Sequence, residues 1–329
     1  MTERLEGPDG SGLPHNGRGT VVTVGTFDGV HLGHRDVLAR IVARAQEMSL
    51  DSILVTFDPH PLEVVNPAAA PLLLTIGEEK LEVVAESGVR YMAIVPFTPV
   101  LQRYSAAQFV DEVLRHRFHV KHLVIGHDHG FGRGREGDVD VMRALGHERG
   151  FGVEVVNAVA TGDGRVVSST LIRRAVAGGD LHHAAQALGR PYSVQARVRR
   201  GDQRGRALGF PTVNLDSPPA RKLLPPDGVY AVRAQTPAGA FGGMMNLGPR
   251  PTFGDAAISL EAHLFDASVD LYGASVKLEF VARLRDTKRF PGVDALVEQL
   301  RQDAVHARSA LTLIENSGNL QSSSRPLIS

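Results

Sequence analysis

Cysteine and tryptophan are both absent from the 329 residues. Without thiols there is no disulfide, no thiolate nucleophile and no cysteine-held zinc or iron–sulfur cluster. Net charge is missing too, since 36 Lys and Arg balance 36 Asp and Glu. No global field then draws the chain to nucleic acid or to an anionic membrane, and neither is an expected partner. Long hydrophobic runs are lacking as well. The longest, near residues 68–76, is interrupted by Pro71 and falls short of the ~20 residues that a spanning helix needs. The N-terminus carries no apolar signal core. A cytoplasmic protein acting on small molecules is the expectation. Oligomeric state stays open, a homo-oligomer included.

What is present is an ordinary globular composition, 43% hydrophobic, with 35 Gly and 19 Pro that imply many tight turns. The length allows two domains. Residues 1–19 are polar, Gly- and Pro-rich and without a period, which reads as a mobile arm. Over 20–189, apolar strands (21–25, 52–57, 91–96, 122–126, 153–157) alternate with helical segments (33–48, 78–87, 106–118, 138–149), the pattern of a parallel sheet covered on both faces. The connection from Asp58 to Thr75 is long, Pro-rich and reads as largely structureless, the mark of a functional lid or of disorder. Short helices at 169–177 and 181–188 precede a boundary at Gly189-Arg190-Pro191. Over 190–312 the reading changes to six strands at short spacing (193–199, 212–215, 229–236, 241–247, 258–265, 276–282). They imply a small antiparallel barrel closed by a helix over 292–310. Residues 313–329 read as a disordered tail.

The chemistry concentrates after the first apolar strand. Gly25, Thr26, Phe27, Asp28 and Gly29 form a glycine turn that leads into a helix start, a combination that exposes N–H groups to an anion. His31 and His34, three residues apart, can both face a phosphate there and donate to charge developing on it. A metal pair or plain surface histidines are the competing readings. Ser169, Thr170 and Arg173 at another helix start suit phosphate oxygens, with an ordinary N-cap as the alternative. His60 follows a strand end, and Asp128 and Phe131 lie in a glycine-rich turn that could hold an acceptor. In the second half, Gly201, Gly205, Arg206 and Gly209 belong to a basic, glycine-rich segment followed by Pro211, which reads as a phosphate-covering flap with a solvated loop as the alternative. Thr212 and Asn214 alternate on a strand and offer hard oxygens suited to Mg²⁺. Glu261 is either a surface carboxylate or a general base for a hydroxyl.

These residues fall in an ordered series of motifs: GTFDGVHLGH (25–34), FDPHP (57–61), IGHDHGFGRGREGD (125–138), SSTLIR (168–173), LGRPY (188–192), GDQRGRALGFPTVNL (201–215), NLGPRPTF (246–253), LEAHLFD (260–266) and DLYG (270–273). The series resembles the bacterial bifunctional riboflavin kinase/FAD synthetase family from about Val21 to Ala310. The resemblance implies an N-terminal Rossmann-like nucleotidyltransferase domain that joins FMN and ATP into FAD and pyrophosphate. There His31 and His34 would act on the ATP phosphates, with Ser169, Thr170 and Arg173 as a second clamp and His60, Asp128 and Phe131 near the flavin. It implies a C-terminal barrel that phosphorylates riboflavin with MgATP, with Thr212 and Asn214 at the metal and Glu261 as base. Asp227–Tyr230 and Arg250-Pro251-Thr252 fit the same module. The chain departs from the family pattern at His129, where an aromatic is usual, at Leu73, where an Arg is common, and at Thr26, where Asn is common. A single working activity, or a flavin carrier on the same scaffold, are the alternatives to a bifunctional enzyme.

Overall fold

The computed structural model describes residues 2–6, 18–127, 130, 132–162, 164–201, 204–249 and 258–322. It divides into two compact units, Met1–Ser169 and Thr170–Ser329. The first is built on strands β1 (Glu3–Glu6), β2 (Thr20–Val24), β3 (Asp51–Asp58), β4 (Tyr91–Pro96), β5 (Val120–Gly126) and β6 (Gly152–Val156). They form one sheet in the order β1-β4-β3-β2-β5-β6, every neighbouring pair parallel. Successive side chains on a strand point to opposite faces, so apolar runs such as Val21-Val22 serve two cores at once. Val22, Ile53 and Leu123 pack with Phe109, Val113 and Leu114 on one face. Val21, Leu54, Met92 and Val124 pack on the other.

The second face is covered by α1 (Leu32–Met48) and α3 (Gly77–Ala85), through Leu38, Ile41, Val83 and Val84. Each fully buried aliphatic side chain of this kind contributes about 1.5–3 kcal/mol. Between them lies α2 (Pro61–Val65), followed by a 3₁₀ turn at Pro67–Ala69. The connection after Asp58 is therefore not structureless. His60 caps α2 by accepting from Leu62 N–H, while Glu63 reaches back to His60 N–H, a reciprocal cap that organises five residues. Further along come α4 (Pro99–Gln102), α5 (Ala106–Phe109) and α6 (Val139–Arg149). The segment after α5 continues as a π-helical turn, with His116 N–H bonded to Asp111 O and Phe118 N–H to Val113 O. At the N-terminus, Glu3–Glu6 is not an arm but the edge strand β1, paired with β4.

The second unit begins within α7 (Ser169–Ala177) and continues through α8 (Leu181–Leu188), which Asp180 caps by accepting from His183 N–H. This division falls earlier in the chain than the Gly189 boundary read from sequence, and α8 packs on barrel strands. Those strands are β7 (Tyr192–Arg199), β8 (Val213–Leu215), β9 (Gly228–Thr236), β10 (Gly239–Pro249), β11 (Ile258–Leu264) and β12 (Ser275–Arg285). They close in the order β10-β11-β8-β7-β12-β9. A four-residue helix, α9 (Arg204–Ala207), sits in the β7–β8 connection. The C-terminal helix α10 (Val293–Ser322) lays Ala307 and Leu311 against Ala231, Met244 and Phe265. Arg285 grips Asp303 of this helix through two nitrogens, at 2.9 and 2.7 Å. The helix runs through Ser322, beyond the tail boundary at 313. Ser309 and Thr312 donate their hydroxyls to the carbonyls of Val305 and Arg308, so these polar residues do not interrupt it.

Candidate active sites

In an open parallel sheet, ligands lie beyond the carboxyl ends of the strands where the connections part to opposite sides. Here that place is the end of β2, flanked by β3 on one side and β5 on the other. The end of β2 leads into the turn Gly25–Val30, and the end of β3 leads to His60. Gly25 N–H bonds to Val55 O at 3.0 Å, which starts the turn directly off the sheet.

The turn is forced into an unusual shape. Phe27 and Val30 have φ of +44° and +40°, and Gly29 has +82°. For residues with a Cβ, and most of all for a β-branched valine, this conformation costs about 1–3 kcal/mol and persists only where the surroundings impose it. The reward is the position of the histidines. His31 is the N-cap of α1, 7% exposed, and its Nδ1 accepts from His34 N–H at 3.3 Å. A neutral imidazole that accepts at Nδ1 carries its proton on Nε2, so that nitrogen is a donor at the helix start. The two rings stack at 3.6 Å, and Phe27 packs on His34 at 4.6 Å. A Cβ at Gly33 would stand 3.3 Å from the His31 ring, which would have to give by a few tenths of an ångström.

The other residues expected at this site have definite places. The Asp28 carboxylate is 3% exposed and accepts from Leu74 N–H at 2.9 Å and Thr75 N–H at 3.1 Å. It therefore shapes the turn from behind. Gly29 N–H donates to Thr75 Oγ1 at 3.0 Å. The Thr26 carbonyl accepts from Lys80 Nζ at 2.5 Å and from Thr56 Oγ1 at 3.2 Å. Ser169 Oγ donates to the Asp28 carbonyl at 2.9 Å, which joins the second expected clamp to the turn through its first member. Thr170 and Arg173 follow on the first turn of α7. Nδ1 of the buried His60 is engaged in capping α2. Asp128, His129 and Phe131 lie outside the described residues, as does Arg250-Pro251-Thr252. Leu73 is buried, next to the Leu74 and Thr75 amides that Asp28 holds.

In the barrel, pairing places the expected groups in one row. Asn214 on β8 stands opposite both Arg199 on β7 and Glu261 on β11, and Glu261 stands opposite Asn246 on β10. Residues directly opposite in antiparallel strands share a face, with Cβ atoms ~5 Å apart. The adjacent row, Val198, Leu215, Leu260 and Leu247, is buried in the barrel. The row with Asn214 and Glu261 therefore faces out of it. Thr212 lies just before β8 rather than on it, since the strand starts at Val213. The preceding Pro211 carbonyl accepts from His263 Nδ1 at 2.7 Å, and Phe210 meets the His263 ring edge-on at 5.3 Å. His263 is two residues from Glu261 on the same face, so it ties the Pro211 turn to the strand that bears the carboxylate. Ser259 Oγ donates to Glu261 Oε1 at 3.2 Å.

Two glycines of the flap are required by close approach. A Cβ at Gly201 would lie 2.2 Å from Asn214 Nδ2, and one at Gly205 would lie 2.3 Å from the Phe210 carbonyl. Gly209 has φ +80°, a region that glycine enters without steric cost. Arg206 is exposed. Sequence reasoning missed Thr75, Lys80 and His263. Only His263 lay in a quoted motif, LEAHLFD.

A parallel sheet with a histidine-capped turn at its switch point, joined in one chain to a closed antiparallel barrel, is an architecture suited to a two-domain transferase. The FAD synthetase family model matches residues 13–171 and the riboflavin kinase model residues 188–311. The bifunctional riboflavin kinase/FMN adenylyltransferase of Pseudomonas fluorescens is 39% identical over 293 residues, 89% of this chain and 93% of the relative. The Escherichia coli K12 protein of the same name is 37% identical, over 88% of this chain and 92% of that one. Among solved structures, one from Streptococcus pneumoniae named Macrolide-efflux Protein matches with a TM-score of 0.80 at 27% identity, covering 91% of this chain and 97% of that one. The chain belongs to the bifunctional riboflavin kinase/FMN adenylyltransferase family.

Proposed function

We propose that the parallel-sheet unit carries out FMN adenylylation and the barrel unit riboflavin phosphorylation. The chain is a bifunctional enzyme of flavin cofactor synthesis, forming FMN from riboflavin and ATP, then FAD and pyrophosphate from FMN and a second ATP. The observation that carries the first assignment is His31, whose Nδ1 accepts from His34 N–H and so leaves the proton on Nε2 at the start of α1.

In adenylylation, an oxygen of the FMN phosphate attacks the α-phosphorus of ATP, and the bond to the bridging oxygen breaks. Charge then grows on the departing pyrophosphate. His31 and His34 donate to it beside the positive end of α1, and losing one such donor typically costs about 10²–10³ in rate. Ser169 adds a hydroxyl fixed to the backbone of the same turn. In phosphorylation, the ribityl 5′-hydroxyl attacks the γ-phosphorus and ADP leaves. Glu261 takes the hydroxyl proton, and its place opposite Asn214 brings the base to the nucleotide's phosphates.

Mg²⁺ belongs to this proposal. Among the described residues no group of three His, Cys, Asp or Glu could hold a metal. A site of one hydroxyl and one amide oxygen, Thr212 and Asn214, fits an ion that takes few protein ligands and completes its shell with phosphates and water. When bound, the ion neutralises charge on the ATP phosphates. A cytoplasmic setting, where ATP is supplied, is part of the same reading.

The test uses purified full-length protein with riboflavin, ATP and Mg²⁺, products resolved by chromatography. FMN followed by FAD is the expected result; FMN alone removes the adenylyltransferase, and neither product removes the enzyme. His31→Ala is expected to abolish FAD formation and leave FMN formation intact. Equal loss of both products would contradict separate sites.

A further inference from the structure

The phosphate turn does not hold its own shape. With Phe27, Gly29 and Val30 all at positive φ, its conformation is imposed from outside. Much of that constraint comes from one stretch, Leu74–Lys80, which contains none of the groups assigned to the reactions. Leu74 and Thr75 donate their backbone N–H groups to the buried Asp28 carboxylate. Thr75 Oγ1 accepts from Gly29 N–H at 3.0 Å. Lys80, one turn into α3, donates its ammonium to the Thr26 carbonyl at 2.5 Å and to Thr56 Oγ1 at 2.7 Å. Thr56 is on β3, so the lysine also ties the turn to the sheet beneath it.

We infer that Thr75 and Lys80 are positioning residues for adenylyl transfer. Thr75 holds the Gly29 amide and Lys80 the Thr26 carbonyl, so the two peptide groups on either side of Phe27-Asp28 are fixed. Fixing them sets the approach of the chain to His31, and with it the direction of the imidazole donor. The Lys80 charge, delivered to the far side of the turn through a carbonyl, also raises the positive potential where the ATP phosphates bind. The contacts of both are to the turn and the strand beneath it, so both act through the turn. The stretch closes the connection that starts at His60, so one piece of chain frames both expected substrates.

This inference rests on the adenylylation reading, and the experiment separates the two. Thr75→Val, Thr75→Ser, Lys80→Met and Lys80→Arg are made in the full-length protein, and steady-state kinetics are recorded for both reactions beside wild type. Thr75→Val keeps the shape and deletes the acceptor, and Lys80→Met keeps the stem and deletes the charge. In both, kcat/KM for ATP in FAD formation is expected to fall by about tenfold or more. KM for FMN is expected to hold, and FMN formation from riboflavin to stay within about twofold, since the second unit does not depend on this turn. Thr75→Ser and Lys80→Arg are expected to recover most of the loss. A merely structural role would lower the melting temperature without raising KM for ATP selectively. Wild-type FAD kinetics in Thr75→Val and Lys80→Met, equal impairment of Thr75→Ser and Thr75→Val, or parallel loss of both activities would each overturn the inference. A wild-type protein that makes no FAD would instead overturn the reading beneath it.

Discussion

Gly201 and Glu261 carry the sharpest single-residue predictions in the barrel. A methyl group at Gly201 would land on the Asn214 side-chain amide at 2.2 Å, and a side chain yields more readily than backbone. Gly201→Ala should therefore leave the fold intact and push Asn214 aside. FMN formation is expected to drop at least about tenfold, with KM for MgATP raised, while FAD formation from added FMN stays normal. Glu261→Gln keeps the size and the Ser259 contact and removes the base, so kcat for FMN formation should fall by ~10²–10⁴. A near-normal rate would take Glu261 out of that role. The three-residue spacing of His31 and His34 could be read in advance because it is local, whereas the placement of Asn214 opposite Glu261 could not, because it depends on strand pairing. Thr75, Lys80 and His263 were not legible, because each acts on a backbone atom 46, 54 or 52 positions away. Such a partner leaves no side-chain pattern to read.

Between β5, β6 and α1 lies a network with a pH dependence of its own. Arg44 on α1 binds Glu154 on β6 through Nε and Nη2, at 3.2 and 2.9 Å, and His122 on β5 approaches the same carboxylate at 3.5 Å. Gly152 makes this possible, since a Cβ there would sit 2.3 Å from the His122 ring. Burial, aided by the Arg44 charge, holds the His122 pKa below its usual 6.5 despite Glu154. The folded state therefore resists protonating this ring, and the unfolded chain binds the extra proton first. Stability contributed by the neutral ring is complete above about pH 6.5 and is lost as pH falls through the lowered value. Thermal melting of the protein from about pH 7.5 to about pH 5 should show this loss, and His122→Asn should reduce it; an unchanged pH profile in the variant would dismiss the effect. Long strands and helices were visible in advance because each carries several turns of period. Several short ones were not. α2 is set by a histidine–glutamate cap over five residues, and the π-helical turn after α5 shares the side-chain pattern of an α-helix.

Across the whole chain, the parallel sheet and the barrel each have their own buried clusters, so a lesion at either site is expected to silence one reaction and spare the other when riboflavin and FMN are each supplied. The alternation of strand and helix, then strand after strand, announced both architectures before any coordinate. β1 escaped notice, being four residues with three charges and one buried leucine. Its effect is felt by other molecules. β4 is a run of Tyr91, Met92, Ala93, Ile94 and Val95 whose outer N–H and C=O groups are met by β1 among the described residues. Exposed apolar edges of that sort recruit further strands and seed aggregates. Glu3 and Arg4 put charge there instead, with Arg4 held by Glu78 at 2.7 Å. Deleting residues 2–6 should make light scattering rise with protein concentration, and a monodisperse deletion variant would refute the idea. Four residues at the rim thus act as a guard on solubility.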